Sequence, residues 1–362
     1  MRRYAIKNLL VLVSFFIFNP ITWGGNNPAL PGTQVIDERH VVSGSSFMLN
    51  IPEGGILLPG SVTIKDEATG TIYERGKNYL AYNAHAQESG FTNSIWGTVG
   101  KGEVIKPIPE GSIVLVSYRY LSGDSLKTSN AAKVVLEKVQ DNYVQIQDLT
   151  ADLTITSTLN GEVFGTQKYG RFIFRAPDNQ KIENWTNQDR NKKSGATIVS
   201  GEKMYLVNAL GSYQEVNYLE GTGTDSSNLN QMDIFYGLDK FIEGHDVLLE
   251  QGSEKGEDVK DATVLAAPKQ DNGAWTYLSL NIDRQKGIMA KSLLYQGEML
   301  VQTLEYEGIE KLGKAWVPTK MVNTLHLSSG EFVTTTTFEN VQLNTGVQDI
   351  EFDPKTVSEE FR

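Results

Sequence analysis

Leu149-Thr-Ala-Asp-Leu-Thr-Ile-Thr-Ser-Thr-Leu159 decides how the chain is read. Leu149, Ala151, Leu153, Ile155 and Leu159 fall on one side of an extended backbone, and Thr150, Asp152, Thr154, Thr156 and Thr158 on the other. Period-two alternation of β-favouring residues is the mark of a strand with one buried face. A sheet with one greasy face must set that face against something, and the identity of that something is the functional question.

Working outward, positions Ala132, Val135, Leu136, Val139, Tyr143 and Ile146 recur at three and four residues, which predicts an amphipathic helix just before the strand. After the strand, Asn160-Gly161 is a hairpin signal. Strands follow at Gly170–Ala176, Lys181–Thr186, Thr197–Ser200, Met204–Asn208 and Tyr213–Leu219. Gln231 to Glu243 reads as a second helix, with Met232, Phe235, Tyr236 and Phe241 as its apolar side. Strands resume at Ala262–Ala267, Trp275–Asp283, Ile288–Tyr295, Glu298–Tyr306, Ala315–Leu327 and Glu331–Leu343. Such a run predicts one large curved antiparallel sheet with a few helices on one side. Upstream, residues 40–121 hold short strands between turn signals, Ser61-Val-Thr-Ile-Lys65 and Ser112 to Tyr120 the clearest, and predict a small β-sandwich. This region loosely resembles immunoglobulin-like modules of bacterial surface proteins. Residues 25–39 are Gly/Asn/Pro-rich and expected to be loose, 122–130 to be a linker, 131–354 the second domain and 355–362 a tail.

Arg2, Arg3 and Lys7 precede a short apolar run, Leu9 to Phe18, and Thr22-Trp23-Gly24 offers small residues at a cleavage site. Residues 1–24 therefore read as a secretory signal peptide, and the apolar run is too short to span a bilayer. The expected product is a soluble exported, periplasmic protein. It has no Cys, which rules out disulfides, thiol catalysis and thiolate metal sites. The formal charge of −11 becomes −14 once the three leader cations leave, and an acidic surface argues against nucleic acid and anionic membranes as partners.

The order of elements and several phrases resemble a family. Val135-Leu-Glu-Lys-Val139 leads into Asp148-Leu-Thr-Ala-Asp-Leu153; Gly170-Arg-Phe-Ile-Phe-Arg-Ala-Pro177 and Val199-Ser-Gly-Glu-Lys-Met-Tyr-Leu206 follow. Leu278-Ser-Leu-Asn-Ile-Asp283, Lys286-Gly287-Ile288, Trp316-Val-Pro-Thr-Lys-Met321, Phe338 to Asn344 and Phe352-Asp-Pro354 complete the set. From about 131 to 354 the chain resembles the LolA-like outer-membrane lipoprotein-sorting proteins, the periplasmic lipoprotein-carrier family. The resemblance implies an incomplete antiparallel β-barrel (a half-barrel) with helices in its mouth and an apolar concave face that takes acyl chains. It also implies a non-enzymatic carrier without cofactors, handing lipoproteins or acylated lipids from an inner-membrane donor to an outer-membrane acceptor. The candidate cavity residues are Leu153, Ile155, Phe172, Phe174, Met204, Leu206, Met232, Phe235 and Phe241. In the family an Arg directly before the Pro of the second strand latches the helical lid. Here Ala176 holds that position and Arg175, the candidate latch, lies one residue earlier, and a one-residue shift reverses the face of a strand.

A second function class is open: an envelope sensor or scaffold that uses the same fold to hold a partner protein. A third rests on Gly123-Asp-Ser-Leu126, the signature of a lipase family, but the tetrapeptide is in the linker and Asn323 stands where an Asp should precede His326, so Ser125 has no base to activate it. Glu243, His245, Asp246 and Glu250 match no metal-binding spacing and read as a polar helix end.

Overall fold

The computed structural model describes residues 32–361 apart from 45, 53–54, 76, 86–94, 101–105, 122–128, 190–191, 202, 218–237, 250–260, 269–276, 297–298 and 328. The expected leader, the linker serine Ser125, Glu250, and the candidate residues Met232 and Phe235 lie outside the described residues.

The N-terminal strands are β1 (Thr33–Val41), β2 (Ser46–Met48), β3 (Ile56–Leu57), β4 (Thr63–Asp66), β5 (Ile72–Tyr73), β6 (Leu80–His85), β7 (Ile95–Gly100) and β8 (Ile113–Leu121). Helix α1 (Ser129–Tyr143) leads to β9 (Asp148–Leu159), β10 (Glu162–Val163), β11 (Lys168–Arg175), β12 (Asn179–Trp185), β13 (Lys193–Ser200), β14 (Lys203–Asn208) and β15 (Tyr213–Asn217). Then come α2 (Leu238–Gly244), β16 (His245–Leu249), β17 (Asp261–Pro268), β18 (Tyr277–Asp283), β19 (Ile288–Gln296), β20 (Met299–Leu312), β21 (Ala315–Leu327), β22 (Gly330–Leu343), a 3-10 turn (Asp349–Phe352) and α3 (Pro354–Glu359). The large antiparallel sheet has fourteen strands in the order β15-β14-β13-β12-β11-β9-β22-β21-β20-β19-β18-β17-β16, with β10 paired to β9. Its end strands β15 and β16 do not pair with each other, so the sheet is not closed into a barrel, in keeping with the half-barrel that the family resemblance implies. Every one of the six predicted stripe positions from Ala132 to Ile146 is buried.

The chain forms two compact units. One comprises Asn26–Asp141 and Leu238–Glu305. Its N-terminal part has a five-stranded sheet (β1-β8-β4-β5 with β3 on β8) and a three-stranded one (β2-β7-β6). They share a core that includes Phe47 and Ala81 from the smaller sheet and Ile64, Val114 and Val116 from the larger. A separate cluster joins Leu58 and Leu121 to Leu248, Leu265, Ala267, Tyr295 and Leu300 of the β16–β20 strands. Two expectations fail here. Thr33–Val41, placed largely in the loose segment, is a strand paired to β8 through a bulge between Val35 and Glu38. His245–Leu249, read as a polar helix end, is a strand with Val247, Leu248 and Leu249 buried, an apolar run too short to announce itself.

The other unit comprises Asn142–Gly237 and Tyr306–Arg362. Here β9 lies between β11 and β22. Asn160 and Gly161 take φ values of 52° and 82°, and Leu159 pairs with Glu162, the two-residue hairpin that the dipeptide predicts. Gly330, with φ 123°, tolerates no side chain, because a Cβ there would sit 1.7 Å from the Asn160 Oδ1, which accepts the Glu331 N–H. At the opposite end of β9, Asn142 is bonded to β21: its Oδ1 accepts from the Trp316 N–H (2.7 Å) and its Nδ2 donates to the Trp316 carbonyl (2.9 Å).

Residues 344–361 run back across one face of this sheet as a strap. Phe352 and Val357 are buried against Ile173, Ala196, Ile198 and Val207, with Val347 and Phe361 beside them. The segment 355–362, expected to be a tail, is therefore largely α3, N-capped by Asp353 and anchored through Val357. The strap begins at Asp148. One carboxylate oxygen accepts from the Thr345 N–H (2.7 Å) and hydroxyl (3.0 Å), the other from the Gly346 N–H (2.9 Å) and Val347 N–H (3.3 Å). Burial pushes the carboxyl pKa up, but these donors outweigh burial and hold it below its ordinary 3.8.

A carboxyl held low in the folded state stabilises the fold above the ordinary carboxylate range and stops doing so as pH falls through the lower folded-state value. Asp148→Asn is expected to lower the unfolding free energy by roughly 1–3 kcal/mol at neutral pH. Urea titrations should show the gap from the unsubstituted protein closing as the pH is lowered from about 4 toward 2; a gap that persists there contradicts the assignment.

Candidate functional site

Residues paired across neighbouring antiparallel strands point to the same side of a sheet. The register of β9 with β11 sets Leu149 against Phe174, Ala151 against Phe172, Leu153 against Gly170 and Ile155 against Lys168. Next, Phe172 pairs with Ile182, Ile182 with Thr197 and Thr197 with Leu206. Val199 pairs with Met204, and Gln180 links Phe174 to Val199. On the other side of β9, Leu153 pairs with Phe338 and Ile155 with Thr336. Six of the candidate residues, Leu153, Ile155, Phe172, Phe174, Met204 and Leu206, thus share one face of one unit, which is called here the phenylalanine face. The rings of Phe172 and Phe338 meet edge to face with centroids 6.3 Å apart.

Gly170 is the one position of β11 on this face without a side chain. A Cβ there would sit 2.7 Å from the Glu183 carbonyl oxygen, so the close approach of β12 requires glycine. The face is mainly apolar, with Gln180, Thr197 and Thr336 interspersed, and much of it is out of solvent: Leu153, Ile155, Phe174 and Met204 are buried and Phe172 and Leu206 half-buried. Phe241, the seventh candidate among the described residues, belongs to the other unit; it is buried and stacked on His245, whose Nδ1 lies 2.7 Å from the Phe241 carbonyl oxygen. Phe338, Ile182 and Val199 join the face although sequence reasoning did not select them; the alternation Phe332, Thr334, Thr336, Phe338 was the available signal for the first.

The opposite, strapped face carries the charge. Lys181, fully buried, lies 3.1 Å from Glu183 and pairs with Glu351 of the strap. Lys193 reaches Glu183 at 3.0 Å and pairs with Glu360. Burial pushes the Glu183 carboxyl up, but Lys181 and Lys193 together hold it below its usual range. Burial likewise disfavours the Lys193 ammonium, and Glu360 and Glu183 reverse that effect and raise its pKa. Arg175, the candidate lid latch, lies on this face too, in register with Asp148, and its guanidinium bonds Asp349 at the start of the 3-10 turn. The structure therefore ties Arg175 to the C-terminal strap and puts it on the side of the sheet away from the phenylalanine face. The parity that displaced Arg175 from the family position is the physical reason.

Among the described residues, no group of three or more His, Asp or Glu is arranged to hold a metal ion, and no helix is long and apolar enough to cross a membrane.

A family model described as "Uncharacterized protein" matches residues 239–359. No curated protein matches the sequence. Among solved structures, the chain is similar to a domain from Vibrio parahaemolyticus designated outer membrane lipoprotein-sorting protein, with 14% identity and a TM-score of 0.46, over 63% of this chain and 99% of that one. It is also similar to a LolA superfamily protein from Nitrosomonas europaea, with 13% identity and a TM-score of 0.42, over 61% and 96%. A DUF1329 family protein from Desulfovibrio piger gives 13% identity and a TM-score of 0.40, over 61% and 97%.

Two of the strap's ion pairs, Arg175–Asp349 and Lys181–Glu351, differ in burial, and their loss should differ in cost. Arg175 and Asp349 are 34% and 81% exposed, so Arg175→Ala is expected to cost less than about 1 kcal/mol. Lys181→Met removes a partner of the buried Glu183 and is expected to cost several kcal/mol, of order 3–5. Chemical denaturation of the two variants checks the ranking, and equal costs would contradict the burial argument.

Proposed function

We propose that the protein is an exported, non-enzymatic carrier that holds acyl chains of lipoproteins or lipids on its phenylalanine face, in the periplasm, for delivery toward the outer membrane. The observation that supports this most directly is the partition of one sheet into two unlike faces. The strapped face has its own apolar core and its own ion pairs. The phenylalanine face gathers Leu153, Ile155, Phe172, Phe174, Met204, Leu206 and Phe338 across six adjacent strands, β22, β9, β11, β12, β13 and β14, with Ile182 and Val199 between. Acyl chains require apolar area and no directed hydrogen bonds, and they gain about 25 cal/mol for each Å² buried. A face of this kind is suited to them.

Much of the same face is out of solvent in this structure, so loading requires part of the chain to move off it. Such an exchange is energetically natural where the chain that leaves the face and the acyl chain that enters it bury comparable apolar area. On this reading the partners are an acylated lipoprotein or lipid, an inner-membrane donor and an outer-membrane acceptor; no nucleic acid and no cofactor is involved.

Phe172→Asp places a carboxylate at the centre of the face, on a residue already half-buried. A neutral fluorescent acyl ester is expected to bind the unsubstituted protein and to lose at least about tenfold in affinity with the variant, the cost of stranding a charge against an acyl chain. Circular dichroism should show the fold retained. Undiminished binding by a folded variant would remove the acyl chain from this face.

A further inference from the structure

Lys168 opens β11 on the phenylalanine face. It is paired with Ile155, and Gly170, Phe172 and Phe174 follow it on the same side. Its side chain is half-buried, yet it makes no hydrogen bond or ion pair with any described residue. Every other lysine of this unit that is equally or more buried has an acidic partner: Lys181 has Glu183 and Glu351, and Lys193 has Glu183 and Glu360. Desolvation without compensation lowers the Lys168 pKa, and it is the only contribution acting on the group. A cation set into an apolar surface is costly unless an anion meets it.

We propose that Lys168 is the headgroup site of the phenylalanine face and that the ligand it selects is a long-chain carboxylate, a free fatty acid. This inference rests on the acyl-binding reading of that face.

The placement favours a carboxylate over a lipid phosphate. Ile155 lies about 5 Å from Lys168 across the strand pair, so the apolar surface begins directly beside the ammonium. In a fatty acid the charge is on the end of the chain itself. In a phospholipid a glycerol separates phosphate from chain, and a phosphate held at Lys168 would set that polar spacer against Ile155 and Leu153. The stretch from Lys168 to Phe174 spans roughly 20 Å of strand, a length that matches an extended chain laid along β11. The acyl groups of a lipoprotein carry no charge of their own at this point, so the same lysine would be left unpaired by that cargo. Lys168 therefore separates two cargo classes that the apolar residues alone treat alike.

The test measures binding of palmitate, hexadecanol and a phosphatidylglycerol to the full exported chain by calorimetry at neutral pH. Palmitate is expected to bind at least about tenfold tighter than hexadecanol, the worth of one charge-assisted contact. Lys168→Met should bring that ratio close to one while leaving hexadecanol binding in place, and Lys168→Arg should retain the preference. A melting curve for each variant separates loss of selectivity from loss of fold, and hexadecanol binding by the Met variant serves as a second control. Equal binding of palmitate and hexadecanol by the unsubstituted protein, or an unchanged ratio in Lys168→Met, overturns the role of Lys168 and leaves the acyl face standing. Tighter binding of phosphatidylglycerol than palmitate overturns the choice of a carboxylate. Failure of all three to bind overturns the acyl-binding reading itself.

Discussion

The register of β9 constrains everything around it. The strand is hydrogen-bonded to β11 on one side and β22 on the other, and its side chains alternate without interruption from Asp148 to Ile155. A slip of one residue would send Leu153 and Ile155 to the strapped face and bring Asp148 and Asp152 among the phenylalanines. Four local devices hold the register. Asn160-Gly161 closes a two-residue hairpin at one end, and the Asn160 side chain also bonds the backbone of Ser329, just before β22, and of Glu331 within it. At the other end Asp148 is pinned by the Thr345, Gly346 and Val347 backbone, and Gln147 by Asn344. The strand is therefore clamped at both ends by groups that tolerate only one alignment.

With the register fixed, the two faces solve opposite problems. The strapped face buries Lys181 and Glu183, which is acceptable only because each charge has more than one partner. Such a network is demanding in geometry and favours a single arrangement of strap and sheet. Among the described residues, the phenylalanine face contains no such network. Its contacts are non-directional, so replacing one apolar covering by another changes little beyond area and fit. The strapped face is thus held by directed contacts and the phenylalanine face by non-directional ones.

Much of this was legible in the sequence because period-two alternation reports face directly. Every strand expected between Leu149 and Leu343 is present within a few residues, and the six candidates on β9, β11 and β14 share a side because alternation and pairing leave them no other choice. What was not legible depends on long-range partners. Val357 and Phe361 look like two apolar residues in a polar terminus until Ile173 and Ile198 are seen to receive them. Nothing in the sequence around Lys181 and Glu183 announces that Glu351 and Lys193 enclose them. His245–Leu249 offers only three consecutive apolar residues, too few to distinguish a strand from a helix end.

Lys168 illustrates the limit most clearly. In the sequence it is one polar residue in the loop leading from Phe164 to Tyr169, and a lysine at a strand's start is ordinarily a solvated one. Its meaning depends on the count of residues around the hairpin, because only that count decides whether it is in phase with Phe172 or with Arg171. The pairing with Ile155 puts it in phase with Phe172. From there the contrast is electrostatic: Arg175, of opposite parity, finds Asp349, whereas no described residue offers Lys168 a hydrogen bond or ion pair. Two cations on one strand, separated only by parity, thus serve different ends, one tying the chain to itself and the other facing the surface where a ligand would lie.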